Sequence, residues 1–258
     1  MALSAVLVDI GNRRLKIAPF DPEDRSPVER MEWKGGVQHW DAESPGDWSR
    51  PKTDARLTWW VSSVHRATAE RFQEWIKRVA PQDVVRLLYH VDFPLTIDLP
   101  EPERVGIDRL AAATGALTLA QPPLIVVDAG TAITVDLVLP PCRFAGGAIL
   151  PGMALMAESL AAGTDALPTL ESFDGDDDGP GRDTRHAMRL GICAAAIGGV
   201  GRLVARFRAS CGDARCPVLL TGGNGPALTA IDSGARFHPE LVLRGVARAA
   251  RRACGPST

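Results

Sequence analysis

Residues 6–18 read VLVDIGNRRLKIA, and residues 125–137 read IVVDAGTAITVDL. In each stretch a run rich in β-branched residues ends in an aspartate, Asp9 or Asp128, and glycine follows two positions later, before alternating apolar residues. This pattern predicts two β-hairpins, each with a carboxylate at its tip. The stretches align without a gap, and their separation is close to half of the 258-residue chain. The repeat therefore indicates a duplicated lobe.

The rest of the chain alternates between strand and helix patterns. Strands are predicted over 59–64, 84–88 and 218–220. Helices are predicted over 70–79, 107–120, 186–207 and 241–253, with the glycine pair at 198–199 expected to interrupt the third. Pro122 and Pro123 end the second helix and mark a boundary. We therefore expect an α/β protein with one lobe over 1–121 and a second over 122–258.

Composition excludes several classes of protein. The chain has 29 basic and 31 acidic residues, a formal net charge of −2, which lacks the strongly basic footprint of a dedicated nucleic-acid binder. Charged residues interrupt the first twenty positions, and no uncharged apolar run approaches the length of a membrane span. The five cysteines contain no CxxC pair and are interpreted as incidental thiols. We expect a cytoplasmic protein without a nucleic-acid or membrane partner.

The two acidic turns favour phosphate chemistry. If the lobes face each other, Asp9 and Asp128 lie on opposite walls of one cleft. Carboxylates there can hold Mg²⁺ or a monovalent cation that bridges to phosphate. Asn12, Thr131 and backbone amides can donate to phosphate oxygens, and Lys16 adds a positive charge. A single Asp-x-Gly turn is also an ordinary hairpin turn, so it is the pair that favours a phosphate-binding cleft.

Two further turns are candidates for function. Gly106-Ile107-Asp108-Arg109 opens a predicted helix, where Asp108 is either a helix cap or a base that accepts a proton from a substrate hydroxyl. Arg109 is either a solvated partner or a clamp for an acid group. The run 221–224, Thr-Gly-Gly-Asn, follows a predicted strand and is either a plain turn or a receptor for a nucleotide.

Six motifs in order resemble the type III pantothenate kinase family, which belongs to the acetate and sugar kinase, Hsc70 and actin superfamily. The motifs are Asp9-x-Gly-Asn12, Gly106-x-Asp-Arg109, Asp128-Ala-Gly-Thr131 with Thr134 and Asp136, Gly146-Gly-Ala-Ile-Leu-Pro-Gly152, Gly181-x-x-Thr184-x-x-Ala187 and Thr221-Gly-Gly. The resemblance implies two ribonuclease-H-like (actin-like ATPase) lobes with an interlobe active-site cleft. It also implies a homodimer that transfers the ATP γ-phosphate to the 4′-hydroxyl of pantothenate, with Mg²⁺ and with K⁺ or NH₄⁺.

The resemblance also implies roles for individual residues. Asp108 is expected to be the general base. Pantothenate is expected to contact Gly106, Ile107, Arg109 and, from a region facing the partner subunit, Thr184. Asp9 is expected to orient Mg²⁺ indirectly, and Asp128 to hold the monovalent cation. ATP and its phosphates are expected to contact Asp9, Gly11, Asn12, Lys16, Gly130, Thr131, Gly222 and Gly223.

Two positions depart from the family pattern. Arg13 stands where a small hydroxyl residue is usual, and the segment 99–105 lacks the aromatic residue that lines the pantothenate pocket, the one tyrosine of the chain being Tyr89. These departures leave two alternatives to a pantothenate kinase. One is a non-catalytic nucleotide-binding regulatory paralogue, against which the presence of all three aspartates speaks. The other is a kinase for another small hydroxylated acid or sugar.

Overall fold

The computed structural model describes residues 4–21, 38–41, 50–170, 172–173 and 179–254. These residues fall into two compact units. The first comprises Met1–Gln121, Cys142–Phe144 and Glu240–Thr258, and the second comprises Pro122–Pro141 and Ala145–Pro239. The units differ from the expected lobes, 1–121 and 122–258, in that the C-terminal helix and Cys142–Phe144 belong to the first unit.

Strands and helices alternate along both units. The strands are β1 (Ala5–Ile10), β2 (Arg14–Phe20), β3 (Gln38–Asp41), β4 (Thr58–Ser63), β5 (Val84–Leu87), β6 (Thr96–Ile97), β7 (Leu124–Ala129), β8 (Ala132–Leu139), β9 (Arg143–Pro151), β10 (Val218–Thr221) and β11 (Arg236–Phe237). The helices are α1 (Arg66–Val79), α2 (Ile107–Ala116), α3 (Met153–Ala162), α4 (Thr184–Cys211) and α5 (Leu241–Cys254). The expected α/β class is confirmed.

The first unit contains a five-stranded sheet with the order β3-β2-β1-β4-β5. The predicted hairpin is present as antiparallel β1 and β2, and β4 and β5 continue the sheet in parallel to β1. One face of this sheet packs on α1, where Trp59 meets Phe72 edge to face with ring centroids 5.6 Å apart. Because β1 is buried on both faces, its sequence is a nearly continuous apolar run that Asp9 interrupts.

Helices α2 and α5 pack against each other in the first unit without room for side chains at two positions. A Cβ on Gly245 would overlap the Ala111 carbonyl, and a Cβ on Gly115 would overlap the Leu241 carbonyl. The glycines allow the two backbones to approach closely, and α5 buries an apolar face that includes Leu243. This contact places the C-terminal helix in the first unit, although more than 120 residues separate it from α2 along the chain.

A buried carboxylate ties together the start of β4 and the start of β5. Asp83 accepts hydrogen bonds from Arg50 Nε at 2.9 Å, from Trp59 Nε1 at 2.9 Å and from the Leu57 amide at 3.0 Å. Burial acts to raise the pKa of Asp83, but the bonds from Arg50, Leu57 and Trp59 outweigh it and hold this pKa below its usual value.

The second unit repeats the strand order of the first. Its sheet runs β11-β10-β7-β8-β9, so β7 and β8 form the predicted hairpin, and β10 lies parallel to β7 as β4 lies parallel to β1. Both units therefore have the ribonuclease-H-like arrangement that the resemblance implies. The internal repeat therefore comprises the strand order of a whole sheet and not only the hairpin.

Helix α4 covers the core of the second unit and is longer than predicted. The glycine pair at 198–199 lies inside its 28 residues without interrupting them. Buried residues recur every four positions along one face, at Met188, Ile192, Ala196, Val200 and Val204, and this packing outweighs the weak helix propensity of glycine. Helix α2, in contrast, ends at Ala116, four residues before its predicted end.

The sequence patterns missed several elements. The missed elements are β3, β6, β9, β11 and α3. Strand β6 pairs in the first unit with the first residues of β9, Arg143 and Phe144.

Among the described residues, α4 is the one helix long and apolar enough to cross a membrane by length and composition. Core helices of soluble proteins pass the same test.

Candidate functional site

Asp9 lies near the carboxyl end of β1, where only 8% of its surface is exposed. In the sheet it is registered with Lys16 on β2 and with Ser62 on β4. Burial raises the pKa of Asp9 to about 6, while the Lys16 charge lowers it and the Asp108 charge raises it. The charges of Lys16 and Asp108 therefore both act on Asp9 within the first unit.

The turn after β1 is tight and leaves its polar residues on the surface. The Gly11 amide donates to the Arg14 carbonyl at 2.9 Å, which closes the hairpin. Asn12 and Arg13 are exposed on this turn. Arg13 therefore lies on the surface of the hairpin tip, at the position where the family pattern has a small hydroxyl residue.

Asp108 lies in the first turn of α2. The helix begins after Gly106, which offers no side-chain cap, and Asp108 Oδ1 accepts the Arg109 amide at 2.8 Å. A Cβ on Gly106 would lie 2.6 Å from Asp108 Oδ1, so a glycine is needed for this carboxylate position. Burial raises the pKa of Asp108, against the bond from the Arg109 amide and the Arg109 charge.

Arg109 rests on an aromatic ring that the sequence motifs did not indicate. Its guanidinium lies 5.5 Å from the centroid of the buried Phe144 ring, a cation–π distance. Ile107 is partly exposed beside it, and Tyr89, the one tyrosine, is 59% exposed. Arg109 is therefore supported by an aromatic ring from outside the segment 99–105.

The second unit carries the other acidic turn. Asp128 is registered with Thr134 on β8 and with Thr221 on β10. The Gly130 amide donates to the Ala132 carbonyl at 3.0 Å, and the Thr131 carbonyl accepts the Gly152 amide at 3.0 Å. The N-terminus of α3 therefore lies beside the turn that contains Thr131.

The run Thr221-Gly222-Gly223-Asn224 packs directly on this acidic turn. Gly222 has φ of +87°, and a Cβ at this position would lie 2.5 Å from Asp128 Oδ1. The Asn224 amide donates to the Ala129 carbonyl at 3.0 Å. Only glycine combines this left-handed backbone with so close an approach, so the two motifs form one surface of backbone and carboxylate groups.

Metal-ligand groups are sparse around both acidic turns. The described residues contain no group of three His, Cys, Asp or Glu side chains that could hold a metal ion by themselves. In the first unit the Asp108 charge acts on Asp9, and in the second unit the Ala129 carbonyl lies near Asp128. The oxygen donors of each turn fit oxygen-preferring cations that also bind nucleotide phosphates and water.

Thr184 is the exposed first residue of α4. The neighbouring motif residues have a packing role, because a Cβ on Gly181 would lie 2.5 Å from the Ala187 Cα. No hydrogen bond within the described ranges joins Thr184 to the turns around Asp128. A meeting of Asp9 with Asp128 in one cleft, and a contact of Thr184 with substrate, stay predictions.

Comparison with known proteins identifies a family. Residues 5–206 match the family model described as type III pantothenate kinase. A type III pantothenate kinase from Rhodopirellula baltica is 45% identical over 194 residues, covering 72% of this chain and 69% of the relative. Another from Synechococcus elongatus is 31% identical over 260 residues, covering 96% of this chain and 97% of the relative.

Solved structures show the same fold at lower identity. A Campylobacter jejuni protein that was assigned to the Baf family of transcriptional activators has a TM-score of 0.62 at 20% identity, covering 96% of this chain and 98% of that one. The ethanolamine utilization protein EutJ from Carboxydothermus hydrogenoformans has a TM-score of 0.50 at 15% identity, with coverages of 94% and 88%.

Proposed function

This chain belongs to the type III pantothenate kinase family, and on that premise we propose how its residues carry out the reaction. The protein is a kinase that phosphorylates pantothenate to 4′-phosphopantothenate with ATP, the first step of coenzyme A biosynthesis. The observation that carries the mechanism is the pair of carboxylates in the first unit, Asp9 and Asp108, which interact electrostatically and are both shifted toward the neutral form by burial.

Asp108 is proposed to be the general base. It accepts the proton of the pantothenate 4′-hydroxyl as that oxygen bonds to the γ-phosphorus, and the bond from this phosphorus to the β–γ bridging oxygen breaks to release ADP. A raised pKa makes the Asp108 carboxylate a better proton acceptor than an exposed aspartate. Phosphoryl transfer otherwise requires mainly positioning and neutralisation of charge, which the remaining residues provide.

Pantothenate is proposed to bind beside α2. Its carboxylate pairs with Arg109, whose guanidinium is held in place on the Phe144 ring. Gly106 and Ile107 contribute contacts at the start of the helix, and Thr184 is proposed to contact the substrate from α4. Phe144 supplies the aromatic support that the segment 99–105 does not.

ATP is proposed to bind to the glycine turns of both units. In the first unit Lys16 neutralises phosphate charge, while Gly11 and Asn12 offer donors at the hairpin tip. In the second unit the phosphates contact Gly130 and Thr131, and the nucleotide contacts Gly222 and Gly223. The close packing of Gly222 on Asp128 supports a single ligand-binding surface there.

Two cations are proposed as part of this chemistry. Asp9 is proposed to orient Mg²⁺ through water, which fits a site with few protein ligands because Mg²⁺ keeps several waters beside nucleotide phosphates. Asp128 and nearby carbonyl oxygens are proposed to hold K⁺ or NH₄⁺. When bound, these cations neutralise the negative charge of the phosphates. The location proposed is the cytoplasm, where ATP is available.

A homodimer is proposed through the apolar surface of the second unit. Ile149 is 64% exposed and Leu155 is 38% exposed, although both are large and apolar. Helix α3, which contains Leu155, also forms one wall of a groove of about 460 Å³ against α4, and the residues that line this groove include Leu160 and Met188. Exposed apolar patches of this kind mark interaction sites, and a second copy of the chain would cover this one.

Leu155→Glu tests the dimer. We expect the wild type to elute as a dimer in size-exclusion chromatography with light scattering, and the variant as a monomer, because the charge cannot be buried in an apolar interface. Thr164→Glu, at an exposed residue just beyond α3, serves as the control. A monomeric wild type would refute the dimer, and binding of the wild type to lipid vesicles would assign the surface to a membrane instead.

The activity is tested with purified protein, ATP, Mg²⁺, K⁺ and pantothenate. We expect 4′-phosphopantothenate to form and ADP to be released in equal amounts. Absence of product at micromolar enzyme would contradict the kinase function. Phosphorylation of a sugar in place of pantothenate would favour the kinase alternative, and stabilisation by ATP without turnover would favour the regulatory one.

A further inference from the structure

Ser62 near the carboxyl end of β4 has an unusual environment. It is fully buried, and its Oγ has no hydrogen-bond partner within the part of the chain that the structure describes. A buried hydroxyl without a partner destabilises a fold, so native proteins rarely keep one without a use for it. The next residue, Ser63, differs: its Oγ accepts the His65 amide at 3.1 Å and donates to the His65 carbonyl at 3.2 Å.

Ser62 is the registered neighbour of Asp9. Strands β1 and β4 are parallel, and the pair Asp9 and Ser62 follows the pair Val8 and Val61 in the ladder. Because side chains alternate along a strand and Val8 and Val61 face α1, Asp9 and Ser62 both face the opposite side of the sheet. Helix α2 contacts β4, and the charge of Asp108 at its start influences Asp9. The Ser62 hydroxyl thus lies on the same face of the sheet as the Asp9 carboxylate, on the neighbouring strand.

We propose that Ser62 is a positioning residue for the kinase reaction, and that its hydroxyl donates a hydrogen bond to the Asp9 carboxylate when Mg²⁺ and ATP are bound. This inference rests on the proposed role of Asp9. A hydroxyl that donates to an ionised carboxylate forms one of the stronger hydrogen bonds in proteins, and it restricts the rotation of the carboxylate. Asp9 is held toward the nucleotide in this way, while the unliganded protein bears the unpaired hydroxyl.

The first experiment compares three variants for activity, Mg·ATP binding and thermal stability. Ser62→Ala removes the donor, Ser62→Thr retains it, and Ser63→Ala is the matched control one residue along the same strand. We expect Ser62→Ala to lower kcat/KM for ATP by about tenfold or more, which is the size of effect of one hydrogen bond to a charged group. Ser62→Thr should recover activity to within about threefold of the wild type.

Stability distinguishes this role from a structural one. Without ligands, Ser62→Ala should have a Tm equal to that of the wild type or about 2–4 °C higher, because an unpaired buried hydroxyl is removed. Ser63→Ala should lower Tm, since it loses two hydrogen bonds, with little change in kcat/KM. A Ser62→Ala variant that loses stability and activity together would overturn the proposal, and so would one that retains full activity.

A double-mutant cycle with Asp9→Asn tests the route through Asp9. If Ser62 acts through this carboxylate, Ser62→Ala should change the residual activity of Asp9→Asn by less than about twofold. If Ser62→Ala lowers the activity of Asp9→Asn by the same factor as it lowers that of the wild type, the proposal is refuted. If the wild type fails to phosphorylate pantothenate, the proposed function fails. The Ser62 inference is then tested by calorimetric titration with Mg·ATP, in which Ser62→Ala should weaken binding in the wild type but not in Asp9→Asn.

Discussion

Replacement of Asp9 by asparagine should make the metal-free protein more stable while it removes activity. In the folded protein burial raises the pKa of Asp9 from its ordinary value of 3.8 to about 6. At about 1.4 kcal/mol for each pKa unit, keeping this carboxylate charged inside the fold costs about 3 kcal/mol. Asparagine has nearly the same shape and carries no charge, so Asp9→Asn should recover most of this free energy of unfolding at neutral pH.

The sign of the effect depends on pH. A raised folded-state pKa means that the folded protein binds the proton more tightly than the unfolded chain, so Asp9 opposes folding increasingly as pH rises from about 4 to about 6. Above this window the full cost is present. We therefore expect the free energy of unfolding of Asp9→Asn to exceed that of the wild type by about 3 kcal/mol at pH 7.5, which corresponds to a Tm about 6–12 °C higher. At pH 4 the difference should be only about 0.5 kcal/mol.

Urea and thermal unfolding in EDTA, without nucleotide, measure this difference. Asp165→Asn, at an exposed aspartate, is the control and should change stability by less than about 0.5 kcal/mol at either pH. A cost of the buried Asp9 charge to stability is refuted if Asp9→Asn is no more stable than the wild type at pH 7.5. An equal gain at both pH values would also refute it, because the gain would then have a cause other than the charge.

Four further predictions follow from single contacts. Asp108→Asn should lower kcat by about 10²–10⁴-fold with little change in the calorimetric Kd for ATP, and activity within tenfold of the wild type would exclude it as the base. Asp128→Asn should abolish the preference for K⁺, which equal wild-type rates in Na⁺ and K⁺ would contradict. Asp83→Asn should destabilise by about 3 kcal/mol, lowering Tm by about 6–12 °C, because the buried ion pair with Arg50 loses its negative charge; an unchanged urea midpoint would count against this. Gly245→Ala should cost about 3 kcal/mol or more through overlap with the Ala111 carbonyl, whereas Gly201→Ala in the open part of α4 should be neutral or stabilising, so equal effects in urea unfolding would be inconsistent with the packing.

Asp9 lowers the stability of the unliganded protein and is proposed to act in the reaction, a combination that is typical of residues selected for activity. A buried carboxylate is unfavourable until a cation or a hydrogen-bond donor joins it, and the orphaned Ser62 hydroxyl beside it is unfavourable for the same reason. Two polar groups that destabilise the unliganded sheet at adjacent positions support a common ligand-dependent use. Asp83, in contrast, is satisfied by three donors and serves the fold.

The sequence by itself determined the two hairpins and the position of an aspartate near each tip. These features depend on alternation over a few residues and on turn-forming glycines, which are local properties. The start of α2 at Ile107, beside Asp108, was predictable for the same reason, and the six ordered motifs indicated the kinase family. The continuity of α4 was not predictable, because the apolar face from Met188 to Val204 outweighs its glycines only once the core is present.

Only the tertiary structure decided which distant segments became neighbours. Strand β4 lies next to β1 because parallel strands pair through a crossover whose register no local pattern encodes, and this register brings Ser62 beside Asp9. Likewise Phe144 meets Arg109, and α5 joins α2, through contacts between residues far apart in the chain. Local hydrogen bonds and turn types can be predicted from residues that are neighbours in the sequence. Burial, pKa shifts and buried polar groups without a partner arise only when distant segments pack together and exclude water.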